Sequence, residues 1–477
     1  DFMFKNHEDL MKFVRDADIE MLDLKVIDLP GRWHHMTYST RHISEKVFTD
    51  GTGISLSPYQ GYRQITQGDM KVVPDPSTAF IDPFYEAKTL SVICDILLPD
   101  GQPYERDPRR IARAAEKYIL DSGINARSLW LPELEFHVFD EVRYGSFINK
   151  SFYSVDCEWG FWNADNDKWP QLGSKLGASG CGQADAPRDR LFNLRTEMVR
   201  RIENAGYRVK YHHHELGGPG QMEIEPYFEP LLRAADSIMV MKYMVANTAR
   251  QAGKTVTFMP KPLFDTPGNG MHFHQYLEKD GKSLFYSDDG YAKLSNMALS
   301  YLGGLFRHTP ALMALTNPST NSYRRFGVGM AAPMSLFFGE SNRSSAIRIP
   351  SYSKNETDQR VEYRLPDGLC NPYLAIAAQL MAGLDGVLDK MDPTAEGYGP
   401  FDFNNYTLSD EEKAKIRTAP SSLEETLEAL EKDSAFLTRG GVFPEEIVSA
   451  WTTLKRDELR IVKSRPHPAE FDLYYDL

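Results

Sequence analysis

Four short segments place ligand-type side chains two residues apart: Glu133-Leu-Glu135, Gln221-Met-Glu223, His272-Phe-His274 and Glu362-Tyr-Arg364. On a strand, residues i and i+2 point to the same face, so each pair presents both polar groups to one surface. Carboxylates facing the same way repel unless cations sit between them, and carboxylates with imidazole are ordinary ligands for Mg²⁺ or Mn²⁺. The spacing therefore predicts several strands converging on one charged groove that holds divalent metal.

A chain of 477 residues exceeds one typical core and implies two domains, or one large domain with a smaller one attached. The net charge of −13 argues against a nucleic-acid surface, which needs clustered Lys and Arg. It still allows anionic substrates held by a few local arginines. No apolar run approaches the ~20 residues needed to cross a bilayer, and the stretch from Asp1 to Asp16 is charged, so no membrane association and a cytoplasmic location are expected. Cys94, Cys157, Cys181 and Cys370 lack any C-x-x-C spacing, which predicts reduced thiols and neither a zinc site nor a disulfide framework.

Along the chain, residues 5 to about 105 mix one helix, His7 to Arg15, with short β-rich runs such as Met21 to Leu29 and Thr89 to Leu98. A boundary near 105 divides 1–105 from 106–477. Asp107-Pro108 then starts a helix over Arg109 to Leu120, with Asp107 as its cap. Helices are expected over Pro187 to Ala205, Glu229 to Gln251, Tyr291 to Arg307 and Pro372 to Lys390. Strands are expected over Leu131 to Asp140, Gln221 to Phe228, Met271 to Leu277, Ala346 to Ile349 and Gln359 to Leu365, with one face buried and the other lining a cavity. The Gly- and Ser-rich stretch Asn149 to Gly182 reads as a long functional loop.

Gly253-Lys254-Thr255 ends like a phosphate-binding loop, but Thr248 occupies the required upstream glycine position. No dinucleotide fingerprint or serine nucleophile elbow is present in the sequence. His212-His213-His214 reads as a partly exposed turn in which Glu215 is the only inward group. The paired ligands are accompanied by arginines suited to carboxylate and phosphate oxygens: Arg343, Arg348, Arg360 and Arg364.

Over nearly its whole length the chain resembles the bacterial class I glutamine synthetases. The stretches that carry the likeness include Asp69-Met-Lys-Val-Val-Pro-Asp-Pro, Glu133-Leu-Glu-Phe, His213-His-Glu, Val256-Thr-Phe-Met-Pro-Lys-Pro, Gly270-Met-His-Phe-His, Asn342-Arg-Ser and Arg465-Pro-His-Pro. The resemblance implies an α+β fold, with an N-terminal β-grasp domain and a catalytic domain whose antiparallel sheet forms a funnel flanked by helices. It implies a dodecamer of two stacked hexameric rings, with active sites between subunits and a C-terminal thong reaching the opposite ring. It further implies that ATP phosphorylates the γ-carboxylate of glutamate and that an amine then displaces phosphate, with two or three Mg²⁺ or Mn²⁺ ions present.

Carried over position by position, one metal falls to Glu135, Glu215 and Glu223, the other to Glu133, His272 and Glu362. Arg325 matches the clamp on the substrate α-carboxylate, and Gly268 borders the substrate amine. Arg343 and Arg364 match groups around the transferring phosphoryl, while His274, Arg348 and Arg360 fall on the nucleotide side. Tyr406 falls where many relatives carry a regulatory adenylylated tyrosine, although an unmodified loop tyrosine reads as well.

The likeness breaks where family members handle ammonium with an aspartate, a tyrosine and a flap glutamate. Alignment without gaps puts Ser55, Gly182 and Ala331 at those places, although Asp50 could supply the aspartate if a gap were allowed. Losing two carboxylates removes a cation trap and a general base, a role commonly worth ~10²–10⁴ in rate. The expected function is therefore a γ-glutamyl ligase for an amine larger or less basic than ammonia. The alternatives are an ordinary ammonia-using glutamine synthetase and a non-catalytic oligomer with a regulatory role.

Overall fold

Parallel pairing of Met21–Ile27 with Thr89–Leu97 forms the middle of the first sheet. Trp33–Ser39 lies outside the former strand, Asp69–Pro74 and Thr52–Ser55 outside the latter, and Phe80–Asp82 also pairs with Thr89–Leu97. Helix His7–Asp16, capped by the Asn6 side chain, buries Leu10, Met11 and Val14 against Leu22, Leu24, Val92 and Ile96 of this sheet. These coordinates are a computed structural model that describes residues 4–62, 65–326 and 334–477.

The larger sheet runs in the order Val209–His214, Gln221–Pro226, Arg127–Phe139, Met271–Lys279, Val361–Tyr363, Ile347–Ile349 and Phe338–Glu340. Its strands pair antiparallel except the last two, which are parallel. Helices Leu231–Gln251, Asn296–Thr316 and Pro372–Leu388 contribute buried residues to the same core as this sheet, giving the α+β architecture expected. Strand 127–139 is buried along almost its whole length; its Glu133 and Glu135 face a recessed cavity and not open solvent. The Pro372–Leu388 helix, started by Asn371 and Pro372, is buried on every side. It crosses the Asn296–Thr316 helix closely enough that a Cβ on Gly304 would lie 2.0 Å from the Ala382 carbonyl oxygen, and one on Gly386 2.1 Å from that of Ser300. Among the described residues no helix is long and apolar enough to cross a membrane.

Two helices depart from expectation for local reasons. The helix expected from Pro187 is Phe192–Asn204, because the Asp189 carboxylate accepts from the Leu191 N–H and from Arg195, closing a turn first. The helix expected from Tyr291 to Arg307 is Asn296–Thr316, started by Ser295 capping Ala298 N–H. It continues through Pro310 because residues 311–316 are all buried, and packing outweighs the ~3 kcal/mol that an interior proline costs.

Buried charge ties the two sheets together. Arg109, 1% exposed at the start of helix Pro108–Asp121, donates to Asp75 (2.8 Å) and Asp95 (2.5 Å) from the first sheet region. It also reaches Asp236 (3.0 and 2.9 Å) on helix 231–251, whose carboxylate accepts from Tyr373 as well (2.6 Å). Removing the only member of such a network that faces three carboxylates leaves buried charge uncompensated. Arg109→Met is expected to lose about 3–5 kcal/mol in urea unfolding; a loss below 1 kcal/mol would contradict a joining role.

His308 joins three helical segments, its ring nitrogens 2.9 Å from Asp385 and 2.7 Å from Asp433 and its face stacked on Phe436. Burial opposes its charge, but the two carboxylates outweigh burial and raise its pKa above 6.5. A raised pKa gives stability that is complete below the unfolded value and is lost as pH rises through the folded one. The stability gap between wild type and His308→Gln is therefore expected to be largest near pH 6 and to shrink toward pH 9. Chemical denaturation at each pH measures it.

Candidate active site

Strand register assembles the site. His213 stands opposite Glu223 and Glu223 opposite Glu135, Glu133 opposite His272, His274 opposite Glu362, and Glu362 opposite Arg348. Cross-strand partners share a face, so period-two spacing on each strand becomes a band of ligand-type groups across the sheet. Glu133 lies 2.8 Å from both His272 Nδ1 and His274 Nε2, and His272 Nδ1 lies 3.4 Å from Glu362. Glu135 accepts from Gly270 N–H (2.7 Å) and Gln221 Nε2 (3.1 Å). His213 Nε2 lies 3.3 Å from Glu223 and its Nδ1 4.0 Å from Glu215. Glu362, fully buried, is gripped by Arg348 and Arg364.

Burial disfavours charge on Glu133, Glu135, Glu223 and Glu362, and their neighbours then separate them. Glu135 is pushed up by burial and Glu223 well up by burial together with Glu133, Glu215 and Glu135. Glu362 is held well below the ordinary range, because Arg364 and Arg348 overcome its burial. Glu133 is also held down, by its hydrogen bonds to His272 and His274 against burial and the nearby Glu362. Such a surplus of inward carboxylates suits divalent cations. Ligand atoms fall within 4.8 Å of one another in three sets: Glu133, His274 and Glu362; His213, Glu215 and Glu223; and Glu133, Glu223 and Glu225.

A cavity of about 370 Å³ opens over this band. Glu133, Glu135, Glu215, Glu223 and His272 line it, together with Gly182, Gly268, Arg325, Arg343, Arg348 and Arg364. Arg325 is 2% exposed, and it donates to the Leu365 (2.8 Å) and Arg364 (3.2 Å) carbonyls while facing no carboxylate in an ion pair among the described residues. His274 and Arg360 stand behind the wall, 3.3 Å apart, with Arg360 also held by Asp358 (2.8 Å).

Other expected residues are placed differently. Ser55 is not at this cavity; it ends an edge strand of the first sheet, its hydroxyl 3.1 Å from that of Ser57. Ala331 lies outside the described residues. The His212-His213-His214 segment is not a turn but strand 209–214, and His213 points at Glu223. Glu225 was missed although the alternation Gln221, Glu223, Glu225 contained it; it is 2% exposed and paired with Lys210 at 2.6 Å. Tyr406 has its hydroxyl buried.

Residues 18–99 match the model of the glutamine synthetase beta-grasp domain, and residues 105–474 that of the glutamine synthetase catalytic domain. The chain is 43% identical to a glutamine synthetase of Mycolicibacterium smegmatis over 99% of both chains, and 45% identical to one of Frankia alni over 100% of both. Among solved structures it is similar to Plasmodium falciparum glutamine synthetase, at TM-score 0.89 and 26% identity over 99% of both chains. It is also similar to a GmaS/ADP complex, at TM-score 0.81 and 26% identity over 98% of this chain and 100% of that one. Register, carboxylate band and full-length likeness agree: the chain belongs to the glutamine synthetase family, ATP-dependent ligases that form carbon–nitrogen bonds with the help of divalent metal ions.

Proposed function

We propose that this chain converts glutamate and ATP to γ-glutamyl phosphate and ADP, then passes the acyl group to a nitrogen nucleophile. The observation that carries this reading is one cavity in which inward carboxylates and arginines adjoin. A γ-carboxylate oxygen attacks the γ-phosphorus and ADP leaves; the nitrogen then attacks the acyl carbon, loses a proton, and phosphate leaves. Bound Mg²⁺ or Mn²⁺ would neutralise phosphate charge and align the transfer. Glu135, Glu215 and Glu223 would hold one ion and Glu133, His272 and Glu362 the other, with His213 adding a nitrogen beside the first set. Arg325 receives the α-carboxylate and Gly268 borders the substrate amine. Arg343 and Arg364 face the transferring phosphoryl, and His274, Arg348 and Arg360 serve the nucleotide side.

We further infer a division at 105/106 and a homododecamer in which the N-terminal domain of one subunit, with Ser55, faces the cavity of the next. Four free, buried cysteines suit a reducing cytoplasm.

The names of the curated relatives favour ammonia as the nucleophile. One observation favours a second reading, a larger amine that arrives uncharged, such as an arylamine or an apolar amine. Gly182 lines the cavity, and a Cβ built there would make only ordinary contact, with Leu216 at 3.5 Å, so the glycine leaves cavity where the family resemblance expects a tyrosine. With Ser55 and Ala331 in place of two carboxylates, a cationic acceptor loses its counter-charge, whereas a neutral amine needs none.

Glutamate-dependent phosphate release and product mass, followed with ammonium and with a panel of alkyl- and arylamines, decide between them. On the second reading a bulky amine exceeds ammonium in kcat/KM by about 10² or more, and Gly182→Tyr lowers its use about tenfold. Ordinary turnover with ammonium and none with bulky amines would establish the ammonia reading. ATP binding without release for any nucleophile would favour a non-catalytic oligomer.

Metal is testable apart from turnover. Saturating Mg²⁺ or Mn²⁺ is expected to raise the Tm of chelator-treated protein by several degrees, since a ligand at 100 times its Kd adds about 2.7 kcal/mol. The double variant Glu133→Gln, Glu223→Gln should lose that rise.

A further inference from the structure

Residues 401–407 are stitched onto the turn that carries Arg343. Asn342 Nδ2 donates to the Phe401 (3.1 Å) and Phe403 (2.8 Å) carbonyls. Ser344 Oγ accepts from the Asn405 N–H (3.1 Å), and the Asn405 side chain donates to Ser335 (2.8 Å). Asn404 Oδ1 accepts from the Tyr406 N–H (3.0 Å), setting the direction in which the tyrosine leaves the chain. Its hydroxyl is buried. Tyr406 shares a cavity of about 460 Å³ with Arg343, and Arg343 also lines the carboxylate-rich cavity.

Among the described residues three buried polar atoms in this region have no hydrogen-bond partner: the acceptor Asn405 Oδ1, and a pair, the Tyr406 hydroxyl and Arg364 Nε. Both can donate, and a guanidinium can do nothing else. The charges of Arg364 and Arg325 both act on the phenol, against the burial that raises its pKa. Arg343 makes no ion pair among the described residues, and Arg325 is satisfied only by backbone carbonyls and His272. Unused donors gathered around uncompensated guanidinium charge have one missing component, an anion that accepts from them.

We propose that Tyr406 is a substrate-binding residue, its hydroxyl donating to a carboxylate oxygen of the amino-acid substrate held among Arg325, Arg343 and Arg364. This assignment rests on the ligase reading above and adds a contact that selects the amino acid and leaves the nucleotide untouched. The buried hydroxyl also separates this tyrosine from a surface acceptor of adenylyl groups, which needs an exposed oxygen.

The test uses full-length protein and Tyr406→Phe, with glutamate titrated calorimetrically into protein saturated with ADP and Mg²⁺. A hydrogen bond to a charged group is worth enough that glutamate affinity should fall about tenfold or more. ATP affinity should stay within twofold, and the ligand-free Tm should hold or rise slightly, because the variant discards a hydroxyl that had no partner. Tyr406→His, which keeps a donor, should recover part of the glutamate affinity. Equal glutamate affinity in wild type and Tyr406→Phe would overturn the assignment. A joint fall in ATP affinity and ligand-free Tm would also overturn it, since that pattern marks a structural role. Tyr406-dependent glutamate binding without phosphate release for any nucleophile would sustain it while removing the ligase reading. Failure of wild type to bind glutamate would remove both.

Discussion

Mutual repulsion among carboxylates on one face of a sheet is the constraint around which the rest of the catalytic region is arranged. Glu133, Glu135, Glu223 and Glu362 are each less than a tenth exposed, and an isolated ionised carboxylate in that setting would be prohibitively costly. Each is met differently. Glu362 takes two guanidiniums, Glu133 two imidazoles, Glu135 a backbone N–H and an amide, while Glu223 has a histidine and is left above its ordinary pKa. The uneven compensation is informative. Guanidiniums and imidazoles partner Glu362 and Glu133, whereas Glu223, beside His213 and Glu215, has the least compensation from the protein.

Close backbone approach is part of the same arrangement. A Cβ on Gly270 would lie 2.7 Å from Arg325 Nη2 and 2.8 Å from His272 Nε2, so the glycine lets an arginine and a histidine meet at the mouth of the strand. Its N–H meanwhile binds Glu135, which brings anion, imidazole and guanidinium together at one strand end. Farther out, Arg109 and the Lys25–Tyr243–Asp82 contacts fix the first sheet against helix 231–251, with Lys25 Nζ 4.4 Å above the Tyr243 ring and the Tyr243 hydroxyl 2.9 Å from Asp82. Helix 231–251 packs in turn on strand 127–139, which carries Glu133 and Glu135. Rigidity is thus passed from the first sheet to the carboxylates through charge that solvent does not screen.

Much of this was legible in the sequence because strand geometry repeats every two residues. Glu133 and Glu135 could be placed on one face without coordinates, and so could His272 and His274. Strand register could not be read, and register is what sets His213 against Glu223; without it a run of three histidines looks like a solvated turn. The helix beginning at Phe192 was hidden by the turn-forming use of Asp189, and the one ending at Thr316 by a proline whose local cost is overridden by burial. Ser55 marks a different limit. Its neighbours in sequence identify the position, but among the described residues its hydroxyl meets only Ser57, so nothing within the chain links it to the cavity.

The two ends of the cavity differ electrostatically. Toward the metal-type ligands the site is built to concentrate anions and cations together, which suits transfer of a phosphoryl group between two negatively charged reactants. Toward Gly182 and Leu216 the wall is glycine and leucine beside Pro267, with no added carboxylate beyond those already facing the band. A shared fold can keep one activation chemistry while side chains elsewhere in the site set the nucleophile.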